Sequence, residues 1–335
     1  MGILYLNTEG SKVRKSGGKI IVEKEGETVT TIPLEQITGV VIFTGVHLTE
    51  AVVVEFLKMG TSVTYLSTRG QYYGRLESVH SVDVERQMKQ ALLTKDGKFC
   101  LDISKEFISA KIHNQITVLR WFMKNKPEAN QGELDELKIS YNKVKEATTI
   151  QQLMGFEGNA AKIYFLCLSK LCKPEFKFYG RTRQPPKDAF NSMLSYGYAL
   201  LMYEIYTILG SHGLYPYFGF MHKPKRGHPA LVSDLMEEWR PVLIDAFVLH
   251  LVNKGSFKSI DFEVDSSSGG VFLRRDQSKD FLSRYEKRVL TQIKNPDDDS
   301  NEIFNYRIQL EHQVKKMAKA IDNNNSEYYK SYRIR

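Results

Sequence analysis

The sequence predicts an α+β fold: a small N-terminal β-rich domain over residues 1–82, followed by a larger all-α domain over residues 83–335. Three observations carry this. Up to about residue 80 the apolar residues come in short runs bounded by glycine turns, the pattern of strands. Beyond it they recur every three or four residues over long stretches, the period of amphipathic helices. The charge is also uneven. Residues 1–80 hold eight Lys/Arg and eight Asp/Glu, so the whole +8 surplus lies beyond them. A basic larger part beside a neutral smaller part points to a polyanionic partner for the larger one.

The elements follow in order. Residues 4–7 form a short strand, and residues 19–22 and 29–34 flank Glu25-Gly26-Glu27, a hairpin signal. Residues 37–43 are a buried apolar strand. Thr49 can cap a short helix over 50–59 that stops at Gly60. Residues 63–66 and 72–76 are strands around a turn at Thr68-Arg69-Gly70. Residues 81–86 read as a linker. Phe107, Ile108, Ile112, Ile116, Leu119 and Met123 make a helical stripe, which residues 125–132 break before a further helix to about Ala147. Asp188 can cap a helix through Asn191, Leu194, Tyr198, Leu201 and Ile205. Residues 295–301 are the most loop-like insertion, and the polar stretch from about Asp322 is expected to fray.

Composition narrows the class. The hydrophobic fraction of 42% and charged fraction of 26% are those of a soluble globular protein, and 335 residues leave room for two domains. No apolar run reaches the ~20 residues of a bilayer-spanning helix, and no charged leader precedes the first strand, so a cytoplasmic protein with no membrane association is expected. Cys100, Cys167 and Cys172 lack metal-site spacing and read as buried, reduced thiols.

Three stretches carry candidate chemistry. In residues 155–165 two glycines flank Glu157 inside a helical pattern, at a cost of about 1 kcal/mol each against alanine. Either the small residues serve tight helix packing and Glu157 faces water, or they leave Glu157 unhindered as a metal ligand. Residues 176–188 are a basic aromatic loop with Arg181, Arg183 and a Pro185-Pro186 pair. It is either a charged surface loop or a surface where arginines grip phosphate and rings stack on bases. In residues 219–241, His222 sits in a turn and a helix beginning near Pro229 carries Asp234, Glu237 and Glu238 opposite Leu231, Leu235 and Trp239. One imidazole plus oxygens is a reasonable shell for Mg²⁺ or Mn²⁺. The bland alternative is a loop histidine beside an amphipathic helix with a solvated acidic face.

Taken together these stretches resemble a known family. Glu157-Gly158-Asn159-Ala160-Ala161, then Arg183-Gln184-Pro185-Pro186-Lys187-Asp188 with Asn191, then Gly219-Phe220-Met221-His222, then Asp234-Leu235-Met236-Glu237-Glu238-Trp239-Arg240-Pro241 come in the order and approximate spacing of the CRISPR-associated integrases, the large catalytic subunits of the spacer-acquisition complex, also called CRISPR-associated endonucleases. Ile32-Pro33-Leu34 and Ile37-Thr38-Gly39-Val40 are similar to that family's β domain. The resemblance covers nearly the whole chain. It implies that residues 1–82 serve dimerisation, and that residues 83–335 are a metal-dependent catalytic and DNA-binding domain. It implies Glu157, His222 and Glu237 as ligands of Mg²⁺ or Mn²⁺, Asp234 as a further catalytic acid, and Arg181, Arg183 and Asn191 as contacts to double-stranded DNA. It also implies a homodimer that assembles on a small CRISPR-associated partner subunit.

The chemistry suits those residues. Attack of a DNA 3′-hydroxyl on a duplex phosphate needs positive charge at the phosphoryl oxygens and no protein nucleophile. Asp234 can orient His222, and Glu238 falls at the pocket's edge. A histidine ligand must be neutral, so activity should decline as pH falls through roughly 6.5. Two other classes use the same residues: a metal-dependent, structure-selective nuclease of DNA repair, and a non-catalytic DNA-binding scaffold. The charge distribution makes a direct prediction. DNA affinity should fall steeply with added salt and reside in residues 82–335, with Arg181→Ala and Arg183→Ala each flattening the salt slope by about one phosphate. A fragment of residues 1–80 that binds DNA as tightly as the whole chain would refute it.

Overall fold

The computed structural model describes residues 2–79, 82–124, 131–294 and 303–335. Of the expected linker over 81–86, Ser81 lies outside the described residues and Val84–Arg86 are already helical; of the expected break over 125–132, residues 125–130 lie outside them and Gln131 and Gly132 are helical; the insertion over 295–301 lies outside the described residues. The chain divides into two units, Met1–Val84 with Gly210–Gly213, and Glu85–Leu209 with Leu214–Arg335.

The first unit holds β1 (Gly2–Leu6), β2 (Lys12–Ser16), β3 (Lys19–Lys24), β4 (Glu27–Pro33), β5 (Ile37–Phe43), β6 (His47–Leu48), α1 (Glu50–Lys58), β7 (Ser62–Leu66) and β8 (Tyr72–Leu76). One four-stranded sheet runs β1-β5-β7-β8, parallel except for β8; the other runs β4-β3-β2-β6. The predicted hairpin is present. Glu25 and Gly26 form its two-residue turn with φ of 54° and 86°, the left-handed pair that matches strand twist. The strand β2 was not expected, because its only apolar residue, Val13, is too sparse a signal; that side chain is nonetheless fully buried. Val13, Ile20, Val22, Ile42, Val52, Phe56 and Val63 share the core. Thr49 stands at the start of α1, but its side chain makes no capping hydrogen bond.

The second unit is mostly helical: α2 (Val84–Leu93), α3 (Gly97–Met123), α4 (Gln131–Glu146), α5 (Ile150–Leu171), α6 (Ala189–Ser211), α7 (Ala230–Trp239), α8 (Ala246–Lys254), α9 (Arg275–Val289) and α10 (Tyr306–Asp322). It is not all-α. Two short antiparallel pairs, β9 (Phe262–Val264) with β10 (Val271–Leu273) and β11 (Gln292–Lys294) with β12 (Ile303–Asn305), interrupt it; strands of three residues are too short to leave a readable period. Among the described residues no helix is long and apolar enough to cross a membrane.

Caps set the helix starts. Asp96 accepts from the amides of Lys98 and Phe99 at the head of α3, Thr149 accepts from Gln152 at the head of α5, and Asp188 accepts from Asn191 at the head of α6. The helix α3 packs against α4, α5 and α7 and buries side chains around most of its circumference, as expected of a helix enclosed by its neighbours. After Trp239 the chain widens into a π-helical stretch, Arg240–Asp245. Pro241 has no amide hydrogen to offer the carbonyl four residues back, and the amide of Ala246 bonds instead to the carbonyl of Pro241, five residues back.

Two expectations are corrected. Every residue of α7 is buried, acids included, so the helix has no solvated acidic face. The stretch beyond Asp322 does not fray: Tyr329, Tyr332 and Ile334 are buried, because their side chains cover α3 and α7, the Tyr329 hydroxyl meets Glu238, and the amides of Tyr332 and Ile334 meet Glu238 and Asn114. Trp239 is fully buried, stacked on Tyr332 with ring centroids 4.3 Å apart and edge-on to Tyr306 at 6.4 Å. Trp239→Ala should therefore cost about 3–5 kcal/mol in the unfolding of the helical unit. Urea titration alongside Leu92→Ala, which truncates an exposed side chain, provides the measurement and its control.

Candidate active site

The site begins with a lysine where a core residue is expected. Lys111 lies one turn beyond Phe107 and Ile108 on the inward stripe of α3, and only 8% of its side chain is exposed. An ammonium there must be paired. Its Nζ donates to Glu157 Oε1 on α5 and stands 2.5 Å from Glu237 Oε2 on α7, a close ion pair that lacks hydrogen-bond alignment. Glu237 Oε1 lies 2.9 Å from Arg240 Nη1. Burial pulls the Lys111 ammonium toward its neutral form, but Glu237 and then Glu157 outweigh it, and its pKa rises. Burial opposes the Glu237 carboxylate, but Arg240 and Lys111 outweigh it and bring its pKa down to about 2. Glu157 and Glu237 thus converge on one cationic position.

His222 and Asp234 are brought together beside them. Asp234 is fully buried and its oxygens are fully engaged. Oδ2 accepts the amides of Phe220 (2.7 Å) and Met221 (3.1 Å); Oδ1 accepts the amide of His222 (3.0 Å) and lies 2.7 Å from His222 Nδ1. This holds the turn against α7. Gly219 is required for the same reason: a Cβ there would stand 2.7 Å from Ala230 Cβ and 2.8 Å from Asp234 Oδ2. With Nδ1 committed to Asp234, Nε2 is the nitrogen left to accept a ligand. Burial lowers the His222 pKa, but Asp234 and Glu237 outweigh it and the net shift is upward.

Glu238 is not at the pocket's edge. It is fully buried on the far side, where it accepts from the Tyr329 hydroxyl and the Tyr332 amide, because the stretch beyond Asp322 covers that face.

A cavity of about 220 Å³ opens beside the ion pair, lined among others by Lys111, Glu157, Arg181, Arg183, Tyr198 and Arg240. The guanidiniums of Arg181 and Arg240 lie 5.2 and 5.3 Å from the centre of the Tyr198 ring. Asn191 is fully buried and its amide is spent within the protein: it accepts from Arg181 Nη1 (2.9 Å) and the Thr182 amide (3.1 Å), and donates to the Gly180 carbonyl and Asp188. It shapes the arginine loop from beneath. Arg183 is exposed.

Among the described residues no group of three His, Cys, Asp or Glu side chains stands ready to hold a metal ion. Instead the Lys111 ammonium lies between the two carboxylates. The donor chemistry nevertheless suits an oxygen-preferring divalent cation: two carboxylates aimed at one positive charge, with an imidazole nitrogen nearby. Sequence reasoning missed Lys111, Tyr198 and Asp245, and assigned Arg240 no role. Lys111 did leave a signal, a lone charge in an apolar helical stripe.

Two acids converging on one cation beside an arginine-lined cavity, in a basic helical unit that follows a β-rich one along the chain, suit an enzyme of the nuclease and integrase kind. A family model described as "CRISPR associated protein Cas1" matches residues 4–287, and the chain belongs to that family. It is 35% identical over 322 residues to the CRISPR-associated endonuclease Cas1 of Mycobacterium tuberculosis (strain CDC 1551 / Oshkosh), covering 95% of this chain and 94% of the relative. It is similar to a chain of a Cas6-RT-Cas1–Cas2 complex, with TM-score 0.84 and 25% identity over 99% of this chain and 36% of that one. It shares the fold of a casposase bound to integration product, with TM-score 0.84 and 22% identity over 100% of this chain and 96% of that one.

Asp245, which also lines the cavity, accepts from the Tyr198 hydroxyl at 2.5 Å. Burial raises its pKa from 3.8 to about 6. In that window the folded chain holds a proton that the unfolded chain has released, so Asp245 makes stability fall as pH rises from about 4 to about 6. The change is about 3 kcal/mol at most. Asp245→Asn should flatten the pH dependence of the melting temperature across that window; an unchanged slope would show that Asp245 is ionised throughout.

Proposed function

We propose that this chain is the catalytic subunit of spacer acquisition, a DNA endonuclease and integrase that inserts captured DNA into a CRISPR array by 3′-hydroxyl transesterification. The observation that carries this is the convergence of Glu157 and Glu237, from separate helices, on one buried cationic position beside His222 and an arginine-lined cavity. The name of the Mycobacterium relative and the Cas1–Cas2 title of the similar complex support the reading.

Glu157, Glu237 and Nε2 of His222 would hold Mg²⁺ or Mn²⁺, with Lys111 yielding its place. The bound cation would supply positive charge at the phosphoryl oxygens and lower the pKa of the attacking hydroxyl. Asp234 keeps the His222 ring oriented and its Nε2 free to accept. Arg181 and Arg240, at the cavity wall, offer donors to the DNA phosphate, and Arg183 extends this basic surface outward. Asn191 acts through the loop it shapes. Residues 1–82 serve homodimerisation and residues 83–335 serve catalysis and binding of double-stranded DNA, on a small partner subunit in the cytoplasm.

Glu157→Gln, His222→Ala and Glu237→Gln should each lower Mn²⁺-dependent cleavage or joining by at least ~100-fold. Turnover and the thermal midpoint are measured together, since Glu237 also neutralises two buried cations. Near-normal turnover in any folded variant removes that residue from the ligand set. Because the His222 pKa is raised in the metal-free chain, Mn²⁺ must compete with a proton already near pH 6.5, so the acid limb should shift to lower pH as Mn²⁺ is increased. pH–rate profiles of the wild type at rising Mn²⁺, with DNA binding followed in parallel, test that shift.

A further inference from the structure

The segment after α10 runs over the back of the site and touches residues on either side of Lys111 on α3 and just after Glu237 on α7. Glu238, next to Glu237, accepts from the Tyr329 hydroxyl at 2.8 Å through Oε1 and from the Tyr332 amide at 2.7 Å through Oε2. Trp239, two residues from Glu237, stacks on the Tyr332 ring at an interplanar angle of 10°. On α3, Asn114 follows Lys111 by three residues. Its Nδ2 donates to the Glu238 carbonyl (2.8 Å) and the Tyr332 carbonyl (3.0 Å), and its Oδ1 accepts from the Ile334 amide (3.0 Å). On the other side of Lys111, Ser109 accepts from Arg333 Nη2 at 2.9 Å. Lys111 is therefore bracketed on α3 by residues bonded to this one segment, and Glu237 is followed on α7 by two residues that the same segment holds.

We infer that Tyr329–Arg335 and Asn114 form a clasp that sets the position of Glu237 against Lys111 and Glu157, which makes the segment a positioning part of the active site. None of these residues lines the 220 Å³ cavity, so they act through α7 and α3. The buried Glu238 carboxyl group explains the specificity of the seat: without the Tyr329 hydroxyl and the Tyr332 amide it would lose its two closest donors, which drives the segment back onto the helix. The clasp matters to reaction because a displacement of about 1 Å at a site residue is enough to cost orders of magnitude in rate.

The inference rests on the functional reading above, and the experiment separates the two. Full-length wild type, Tyr332→Ala, Tyr332→Phe and Tyr329→Phe are compared in Mn²⁺-dependent joining of a 3′-hydroxyl duplex to a target duplex at saturating DNA. DNA affinity, thermal midpoint and amide exchange of α7 are measured on the same samples. Tyr332→Ala should slow joining at least tenfold, with DNA affinity within about twofold of wild type and faster exchange in α7. Tyr332→Phe, which keeps the ring on Trp239, should restore the rate. Tyr329→Phe keeps the ring against Phe107 and loses the hydroxyl alone, and should slow joining several-fold; it decides the matter if Tyr332→Ala does not fold. Wild-type joining by the folded variants, unchanged exchange in α7, or a loss of DNA affinity as large as the loss of rate overturns the clasp. A wild-type chain that neither cleaves nor joins DNA, alone or with its small partner subunit, instead overturns the functional reading, and the exchange arm still decides whether the segment holds α7.

Discussion

A positive charge buried between two carboxylates organises the helical unit. Removing an ammonium from water is expensive, and the cost is offset only where opposite charges meet it at close range. Lys111 on α3 meets Glu157 from α5 and Glu237 from α7, and Arg240 completes the neutralisation at the next turn. These three helices cannot slide past one another without leaving a buried charge unpaired. The ion cluster thus fixes register where hydrophobic packing alone tolerates substitution and small shifts.

The other features of the site follow from this centre. Asp234, one turn before Glu237, uses all its acceptor capacity to hold the turn of His222, so the imidazole is fixed within electrostatic reach of Glu237. Glu238 faces away and is matched by the segment beyond α10. The π-helical stretch at Arg240–Asp245 places Arg240 over Tyr198 while Asp245 receives the Tyr198 hydroxyl, which links α6 to the same wall. The three acids of one helix, Asp234, Glu237 and Glu238, therefore have three different fates, decided by what lies opposite each.

A static cluster of this kind is also a poised one. The Glu237 carboxylate is held ionised by Arg240 and Lys111, which bring its pKa down to about 2. The same arrangement that keeps the carboxylates paired with Lys111 keeps their oxygens aimed where a divalent cation would replace one positive charge by two. A mobile lysine chain can give way without moving the helix backbone, because its four-carbon stem carries the charge at its tip.

Local signals made much of this legible. The change from period two to period three-to-four separated the β-rich region from the helical one, and the hairpin at Glu25-Gly26 announced itself by its turn residues. The ordered motifs around Glu157, His222 and Glu237 carried the family. The strand β2 and the three-residue pairs were illegible because too few residues alternate in them. Lys111 could not be assigned from spacing, since its partner Glu157 lies 46 residues away on another helix. The burial of Glu238, the use of Asp234 in the turn, and the docking of the supposedly frayed segment were likewise settled only by tertiary packing. Periodicity tells which face of a helix is apolar; what a buried polar side chain meets there depends on elements far away in the chain, brought close by the fold.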